Sequence, residues 1–358
     1  MGNTRMGRDL RATSHDRLTS FDIAQLAGVS QPTVSRALRG DVMVSEATRK
    51  RIEAIASQLN YKVDKHASSL RLRQSNTLAL LFFEDPTSDN SLINPFYLSM
   101  LGSITRTCGV RGYDLLISFQ QLSSDWHVEY ADSSKADGII LLGYGDYDEY
   151  RWRLDRLVAQ GTHFVRWGSM QASQPHTTLG TDNFEGGAIA ARHLLAFGHR
   201  AIAFLGEASS RSPEFEQRYR GAIAAMRAAG VASDPMLQVD AISTEESGYA
   251  AARALIARHI PFEAVFAASD LIAVGALRAL EEQGLSVPGD VSIVGFDDIS
   301  AASLSHPPLT TVAQDYARAG QVLVDALLGQ IAARPTEITM PPPRLVVRRS
   351  TAPRGAER

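Results

Sequence analysis

Hydrophobic and polar residues alternate in two different ways along this chain, and the pattern changes near residue 76. Before that point, apolar residues recur at the spacing of short helices. After it, continuous apolar runs such as residues 78–83 alternate with longer amphipathic segments. An uninterrupted apolar run is typical of a strand that is buried on both faces of a parallel sheet. Further runs of this kind are residues 115–117, 138–142, 164–165, 201–205, 264–267 and 291–294.

The amphipathic segments between these runs predict helices. They lie at residues 96–107, 186–196, 219–229, 248–258 and 271–283. Strands that alternate with helices favour an α/β fold. Because the strands are too many for one comfortable sheet, we expect two doubly wound α/β subdomains, with a cleft between the carboxyl ends of their strands.

The first helical pattern lies at residues 21–27, where Ile23, Leu26 and Ala27 share one face. Thr19 is suited to cap this helix, and Asp22 stands three residues later as its capping-box partner. The sequence therefore predicts a short amphipathic helix that begins after Thr19.

A glycine turn follows this helix. Gly28 can adopt the positive φ that ends one helix and lets another begin at a steep angle. Ser30 can cap the second helix, and Pro32 falls in its first turn, where a missing N–H costs little. This order is typical of a helix-turn-helix, which presents the start of its second helix to the major groove of DNA. The turn alone would also suit an ordinary pair of packed helices.

A third helix is predicted after Ser45, its expected cap, and its apolar residues recur at helical spacing as far as Leu59. Three such helices make a headpiece of roughly 45 residues, which is enough for a small core. The residues expected to form this core are Val34, Leu38, Ile52 and Leu59.

Charge also separates the two parts of the chain. The net charge is −3, but residues 1–76 contain 13 Lys/Arg and 7 Asp/Glu, whereas the remaining residues contain 23 and 32. A basic head on an acidic body indicates that only the head meets a polyanion. A solvated charged face would give the same balance.

The single cysteine, Cys108, excludes an intrachain disulfide and a cysteine-based zinc site. Its apolar helical surroundings predict a buried thiol. Residues 1–17 are polar, carry no signal-peptide pattern and are expected to form a disordered tail. No apolar run approaches the length of a membrane span, so we expect a cytoplasmic protein.

From about Thr19 to Ala352, the chain resembles the LacI/GalR family of transcription regulators. The resemblance rests on several motifs in the family's order. In the head and linker they are Leu26-Ala27-Gly28-Val29-Ser30, Thr33-Val34-Ser35-Arg36, Val44-Ser45-Glu46, Thr48-Arg49, Tyr61, Ala67 and Ser69-Leu70-Arg71. In the remainder they are Asn94-Pro95-Phe96, Asp137-Gly138-Ile139-Ile140, His193-Leu194-Leu195, Gly198-His199-Arg200, Ser269-Asp270, Val294-Gly295-Phe296-Asp297-Asp298-Ile299 and Pro307-Pro308-Leu309-Thr310-Thr311-Val312.

By this resemblance, the second helix reads base edges through Gln31, Pro32 and Arg36. The chemistry agrees in part, because glutamine can bond an adenine edge and arginine a guanine edge, each worth about 1–3 kcal/mol of discrimination. Pro32 offers only apolar contact, for instance with a thymine methyl group, and a phosphate contact remains the alternative for Arg36. Residues better suited to phosphates or helix capping are Ser30, Thr33 and Ser35.

The linker, residues 63–76, resembles the family's hinge helix, which orders on operator DNA. Leu70 would be the apolar wedge that enters the minor groove, and Asp64 would cap the helix. Here the chain departs from the family, with Asp64 in place of a common asparagine and Ser68 in place of a common arginine. Because each wedge needs a partner across a dyad, the resemblance implies a homodimer on a palindromic site.

The remainder resembles the family's sugar-sensing module, itself similar to periplasmic sugar-binding proteins. The resemblance places Arg218, Asp297 and Ser269 among the effector-binding residues. Carboxylate and guanidinium groups suit the hydroxyl groups of a sugar, and aromatic faces suit its C–H side. The aromatic candidates are Phe96, Trp167 and Tyr316.

Two features of this site leave alternatives open. The adjacent carboxylates of Asp297 and Asp298 could suggest a metal site or an acid–base pair, but neighbouring carboxylates at a strand end generally point apart, so we expect a structural role for Asp298. Trp167 could simply pack at a strand end. Gly168 and Ser169 stand where the family usually has Asp-Arg, so one polar ligand is missing and no particular sugar is indicated.

We therefore expect a disordered tail at residues 1–17, a headpiece at 18–62, a hinge at 63–76 and a core at 77–358. One subdomain of the core is expected to hold residues 77–181 with 314–343, and the other 182–313 with 344–358. Helices near residues 94–107 and 269–283 are the dimer surface that the resemblance implies. Only a short basic tail follows Val347, without a leucine-heptad helix for a tetramer, which favours a dimer.

The predicted function is a sequence-specific DNA-binding repressor whose operator affinity is set by a small carbohydrate bound between the two subdomains. An activator or an effector-independent regulator is the nearest alternative, and a sugar-binding protein without DNA function is a more distant one. We expect no enzymatic activity, cofactor or metal, since the sequence carries no nucleophile elbow, phosphate-binding loop or metal-ligand cluster.

Overall fold

The computed structural model describes residues 18–38, 40–59, 61, 74–82, 93–119, 125–143, 147–169, 177–334 and 338–355. The chain divides into two compact units, Met1–Arg73 and Gln74–Arg358. We call them the headpiece and the core. The predicted hinge falls almost wholly within residues 62–73, which lie outside the described residues.

The headpiece contains three helices, α1 (Ser20–Ala27), α2 (Gln31–Leu38) and α3 (Glu46–Gln58). They pack around Ile23, Val34 and Ile52, which are fully buried, with Leu38 and Leu59 partly buried at the edge. The Ser45 hydroxyl accepts a hydrogen bond from the Thr48 N–H at 3.3 Å and so caps α3. The predicted third helix and its cap are thus confirmed.

The core contains two lobes, each built on its own sheet. The elements of the first lobe are β1 (Thr77–Phe82), α4 (Pro95–Arg111), β2 (Asp114–Phe119), a π-helical turn (His127–Asp132), β3 (Gly138–Leu142), α5 (Tyr147–Ala159), β4 (Phe164–Trp167) and β5 (Thr177–Leu179). The strands are parallel in the order β2-β1-β3-β4-β5. In the central pair, Leu80 lies beside Ile140.

Both faces of this first sheet are covered, which explains its continuous apolar runs. Leu78 and Leu80 of β1 contribute to one hydrophobic cluster, whereas Ala79 and Leu81 contribute to another on the opposite face. Cys108 of α4 belongs to the first cluster and is buried, as predicted. Burial raises the pKa of this thiol to about 11.

The second lobe contains the remaining strands. Its elements are α6 (Asn183–Ala196), β6 (Ile202–Leu205), α7 (Pro213–Ala228), β7 (Gln238–Val239), α8 (Glu245–Ala257), β8 (Ala264–Ala267), α9 (Asp270–Glu282), β9 (Ser292–Asp297), α10 (Ser300–Leu304), β10 (Thr310–Ala313), and β11 (Arg344–Val346) near the C-terminus. The sheet order is β11-β10-β9-β8-β6-β7, and β11 alone is antiparallel to its neighbour.

The chain returns to the first lobe between β10 and β11. The helix of this segment, α11 (Tyr316–Ile331), packs on α4 and on strands β3 and β4. Helices α6 and α7 pack together on the second lobe, as do α8 and α9. The predicted fold class, a three-helix headpiece followed by a core of two doubly wound α/β lobes, is confirmed.

Candidate functional site

The turn between α1 and α2 has the predicted geometry. Gly28 has a φ of 63°, which a residue without a Cβ adopts readily, and its N–H bonds back into the end of α1. At the start of α1, the N–H and hydroxyl of Thr19 both donate to Asp22 Oδ2 at 2.8 Å. Both ends of α1 are therefore fixed by hydrogen bonds.

Helix α2 presents a polar face. Val34 and Ala37 are buried against the other headpiece helices, whereas Pro32 and Arg36 are exposed. Ser30 is also exposed, just before the helix, and its hydroxyl lies 2.9 Å from that of Thr33. Thr33 and Ser35 are partly buried beside this face.

Gln31 is held by the first helix. Its Nε2 donates to the Ser20 hydroxyl at 3.1 Å, and the side chain is partly buried. A bidentate contact with an adenine edge uses one amide N–H and the amide oxygen, so the second N–H can remain on Ser20. This bond therefore orients Gln31 without consuming its capacity to read a base.

One prediction about the headpiece was wrong, and several lie outside the described residues. Leu26 does not join the buried face with Ile23 and Ala27, because its side chain is 58% exposed. Ile23 and Ala27 are one turn apart and define the buried stripe, and Leu26 falls at its margin. The hinge residues Asp64, Ser68 and Leu70 are not among the described residues.

In the core, Arg218 of α7 lies at the carboxyl ends of the second lobe's strands and is 1% exposed. Its Nε donates to Asn183 Oδ1 at 2.9 Å, and its Nη1 donates to the carbonyl oxygen of Ala268 at 2.5 Å. The same Nη1 lies 3.7 Å from Asp297 Oδ1. The guanidinium also stands 3.7 Å from the centroid of the Phe296 ring. These contacts fix the guanidinium group in one orientation.

Asp297 is the last residue of β9 and is 2% exposed. Its φ of 113° is rare for a residue with a side chain, and Gln314 Nε2 donates to its Oδ1 at 2.6 Å. The neighbouring Asp298 instead pairs with Arg348 at 2.7 Å. The two adjacent carboxylates thus serve different partners, which gives Asp298 the structural role expected for it.

A third carboxyl group, that of Asp270, accepts hydrogen bonds near the end of β9. It is fully buried, accepts a hydrogen bond from the Thr311 hydroxyl at 2.5 Å and another from the Ile299 N–H at 2.9 Å. Burial, followed by the charge of Asp297, raises its pKa well above the ordinary value for aspartate. Asp270 therefore ties β10 to the loop that follows Asp297.

Ser269 belongs to a chain of hydrogen bonds that crosses between the lobes. Asn94 Nδ2, at the start of α4 in the first lobe, donates to the Ser243 hydroxyl at 3.0 Å. Ser243 in turn donates to the Ser269 hydroxyl at 2.9 Å. Ser269 also accepts the Ile272 N–H at 3.3 Å and so caps α9. Its proposed contact with an effector is additional to this structural role.

The three aromatic candidates are placed differently. Phe96 and Trp167 are buried, with ring centroids 6.3 Å apart. They come from the start of α4 and the end of β4, at the carboxyl edge of the first sheet, and both belong to the hydrophobic cluster of the first lobe. Tyr316 begins α11 and is 41% exposed, two residues after Gln314. Two of the three rings are therefore brought together.

The end of β4 carries charged groups that sequence reasoning missed. Arg166 is 1% exposed in this strand, and its Nη1 donates to the Tyr150 hydroxyl at 2.7 Å. Glu214 of α7 accepts the Ser169 N–H at 2.7 Å, which places a carboxylate of the second lobe against the first. The signal available in the sequence was the charge of Arg166 within the otherwise apolar run Phe164–Trp167.

The strand ends of the second lobe thus carry a fixed guanidinium, a carboxylate and amide groups, and those of the first lobe carry two buried aromatic side chains. Groups of these kinds suit a small polyhydroxylated ligand better than covalent chemistry. No cluster of three His, Cys, Asp or Glu side chains suited to a metal ion occurs in the part of the chain that the structure describes. Among the same residues, no helix is both long and apolar enough to span a membrane.

Comparison with known proteins identifies both units. Residues 21–64 match the family described as bacterial regulatory proteins, lacI family, and residues 191–351 match a periplasmic binding protein-like domain. The ribose operon repressor of Escherichia coli (strain K12) is 31% identical over 320 residues, which cover 87% of this chain and 93% of the relative. The transcriptional regulator DegA of Bacillus subtilis (strain 168) is 30% identical, covering 94% of this chain and 99% of the relative.

Solved structures agree with these relatives. A complex of the transcriptional regulator CelR with cellobiose is 31% identical, with a TM-score of 0.67, and the match covers 93% of this chain and all of that one. The lac repressor dimer bound to operator and an anti-inducer is 25% identical, with a TM-score of 0.78, covering 94% of this chain and 100% of that one.

Proposed function

Because the chain belongs to the LacI family of bacterial regulatory proteins, which are transcription regulators and not enzymes, we propose that it is a repressor that binds operator DNA as a homodimer and responds to a small carbohydrate. The single observation that carries this proposal is the presence, in one chain, of a helix-turn-helix with an exposed polar α2 and a two-lobed core that buries Arg218 beside Asp297. Acting on DNA places the protein in the cytoplasm.

Helix α2 supplies the DNA contacts in this proposal. Arg36 and Gln31 provide hydrogen bonds to base edges, and Pro32 provides an apolar contact. Ser30, Thr33 and Ser35 are suited to phosphate oxygens, which position a protein on the duplex without specifying sequence. The basic balance of the head supports this assignment, since neutralising phosphates is the main source of non-specific affinity. Leu70 of the hinge completes the proposed contact in the minor groove.

The effector in this proposal lies between Arg218 and Asp297 on one side and Phe96 and Trp167 on the other. Charge-assisted hydrogen bonds to sugar hydroxyls and stacking on the C–H face of the sugar are the interactions that these groups offer. Tyr316 would cover the open edge, and Ser269 would contribute a hydroxyl group. The cellobiose held by a relative with 31% identity supports a carbohydrate.

The dimer surface in this proposal begins at the edge of the first sheet. The edge strand β2 exposes Ile117 and Phe119, and the neighbouring α4 exposes Leu98 and Val110. Exposed apolar groups on an edge strand favour a covering partner. In the second lobe, most apolar residues of α9 are buried within the lobe, whereas Leu304 of the adjacent α10 is 74% exposed.

Selection of DNA from a random duplex library by the full chain tests this function. We expect enrichment of one palindromic sequence, bound at least about a thousandfold more tightly than unrelated DNA at equal salt. D-ribose, D-glucose, D-galactose and cellobiose are then added to the complex, and one of them should change the affinity. Binding that depends on salt but not on sequence would refute the proposal.

The direction of regulation needs a separate measurement in the source bacterium. Deletion of the gene should raise transcription from promoters that carry the selected palindrome. A fall in transcription would identify an activator instead, and a response that no sugar alters would identify an effector-independent regulator.

A further inference from the structure

Glu214 reaches across the cleft from the second lobe to the end of β4 in the first. It lies in the first turn of α7, four residues before Arg218, and therefore on the same face of the helix. Its Oε1 accepts the Ser169 N–H at 2.7 Å. A second hydrogen bond crosses nearby, since the Tyr147 N–H donates to the carbonyl oxygen of Arg211 at 2.9 Å. We call the arrangement with both bonds formed the closed arrangement.

Arg166 faces the same carboxylate from the first lobe. A Cβ on Gly168 would lie 2.7 Å from Arg166 Nη2 and 2.8 Å from Glu214 Oε1, so the two opposite charges flank one glycine. The guanidinium carbon of Arg166 stands 5.0 Å from the centroid of the Tyr147 ring, and Nη1 bonds the Tyr150 hydroxyl. Because glycine has no side chain, position 168 leaves the space in which the Arg166 guanidinium and the Glu214 carboxylate lie near each other.

Because Arg166 is buried, the nearby carboxylate of Glu214 is important for stabilising its charged guanidinium. Burial by itself disfavours the charged guanidinium, yet the pKa of Arg166 is raised because Tyr150, Glu214 and Tyr147 outweigh that cost. Glu214 supplies the carboxylate of this group, and it belongs to the other lobe. When the lobes separate, Arg166 keeps its tyrosines but moves away from this carboxylate, so the closed arrangement has a favourable charge interaction that the open one lacks.

We propose that Arg166 is a positioning residue that acts through Glu214 to hold the two lobes in the closed arrangement when no effector is bound. The inference extends the proposed function, since it concerns the cleft in which the effector would bind. It does not depend on which sugar binds there. Substitution of Glu214 should favour the open arrangement, in which water can reach Arg166.

Site-resolved amide hydrogen exchange on the full chain, without DNA or effector, tests this inference. The Ser169 and Tyr147 amides are bonded across the cleft, whereas the neighbouring Gly168 amide bonds to the Leu179 carbonyl oxygen at 2.8 Å within one sheet. Glu214→Gln removes the charge but keeps an acceptor for Ser169. We expect the Ser169 and Tyr147 amides to exchange at least about tenfold faster, with Gly168 unchanged.

Glu216→Gln is the matched control. Glu216 lies on the same helix, and its carboxylate bonds to Arg220 at 2.6 Å within that helix, so the exchange of all three amides should match that of the wild type. Unchanged exchange at Ser169 in Glu214→Gln would overturn the inference. Equal acceleration at Gly168 and Ser169 would also overturn it, because it would indicate local unfolding of β4 instead of lobe separation.

A second pair of variants separates charge from packing. Arg166→Lys retains the positive charge and should keep the Ser169 amide closer to wild-type protection than Arg166→Met does. Equal loss of protection in both variants would contradict an electrostatic role. Because none of these measurements uses DNA or a sugar, their failure leaves the proposed repressor function standing.

Discussion

Helices α6 and α7 approach each other backbone to backbone at two glycines, and this contact determines where Arg218 stands. A Cβ on Gly221 would overlap the carbonyl oxygen of Phe184, and it would lie 2.8 Å from the carbon of that carbonyl and 3.0 Å from the Ala188 nitrogen. The atoms it would meet belong to the helix backbone and cannot rotate away. Gly221→Ala should therefore force the two helices apart.

The expected cost follows from this geometry. Overpacking a core by one methyl group costs about 1–3 kcal/mol, and a backbone contact places Gly221→Ala at or above the upper end of that range. Replacing glycine by alanine inside a helix returns about 1 kcal/mol, so the net loss should be about 2 kcal/mol. Gly109→Ala in α4 is the matched control, because a Cβ there meets nothing within 4 Å and should stabilise the protein by about 0.5–1 kcal/mol.

Thermal unfolding of the full chain, followed by circular dichroism, measures the difference. The two variants should differ by about 2.5–3 kcal/mol, which corresponds to about 4–5 °C in the Tm of the core transition. Because Arg218 lies less than one turn before Gly221, sugar affinity should fall in Gly221→Ala and stay unchanged in Gly109→Ala. Equal stability of the two variants would show that the helices can separate without cost, and would refute this reasoning.

Three further predictions concern single residues. Arg36→Ala should lower operator affinity and relax base preference at one position by about 1–3 kcal/mol, as measured by fluorescence anisotropy on substituted operators; equal loss on every DNA would indicate a phosphate contact. Asp297→Ala should preserve operator binding but abolish the response to the sugar that the wild type recognises; unchanged heat of sugar binding in calorimetry would disprove the pocket assignment. Burial lowers the pKa of His199 below its ordinary value of 6.5, and its Nε2 lies 2.9 Å from the Ser292 hydroxyl. The unfolded chain therefore takes up this proton more readily than the folded one, so stability is full above pH 6.5 and falls as the pH decreases below it. His199→Asn should show a smaller fall in Tm between about pH 7 and 5 than the wild type, and an identical fall would contradict this explanation.

The long elements of the fold were predictable because each carries its own pattern. The run at residues 78–83 corresponds to β1, and the pattern at 271–283 corresponds to α9, each within two residues. Strands β5, β7 and β11 contain only two or three residues, too few for any periodicity, and their pairing depends on distant parts of the chain. Helices α5 and α11 were not predicted, although both are longer than 12 residues.

The site was predictable only where a family resemblance supplied the positions. Arg218 and Asp297 were named from motifs, and the structure places them 3.7 Å apart. Arg166 and Glu214 were missed because they lie 48 residues apart and their proximity depends on how the two lobes meet. Exposure at the edge of a small core also depends on tertiary packing, which is why the helical pattern misplaced Leu26.

The proposed closed arrangement makes a quantitative prediction for the binding of the proposed effector. A ligand shifts the balance between open and closed arrangements only by its preference for one of them. Where the closed arrangement binds the sugar, the apparent dissociation constant equals the intrinsic one divided by the closed fraction. Exchange at the Ser169 amide reports the open population directly, because its acceptor, Glu214, belongs to the other lobe. The open fraction measured in Glu214→Gln without ligand should therefore predict how much weaker its sugar binding becomes, with no adjustable parameter. A larger loss of affinity than that fraction allows would mean that Glu214 also contacts the sugar itself.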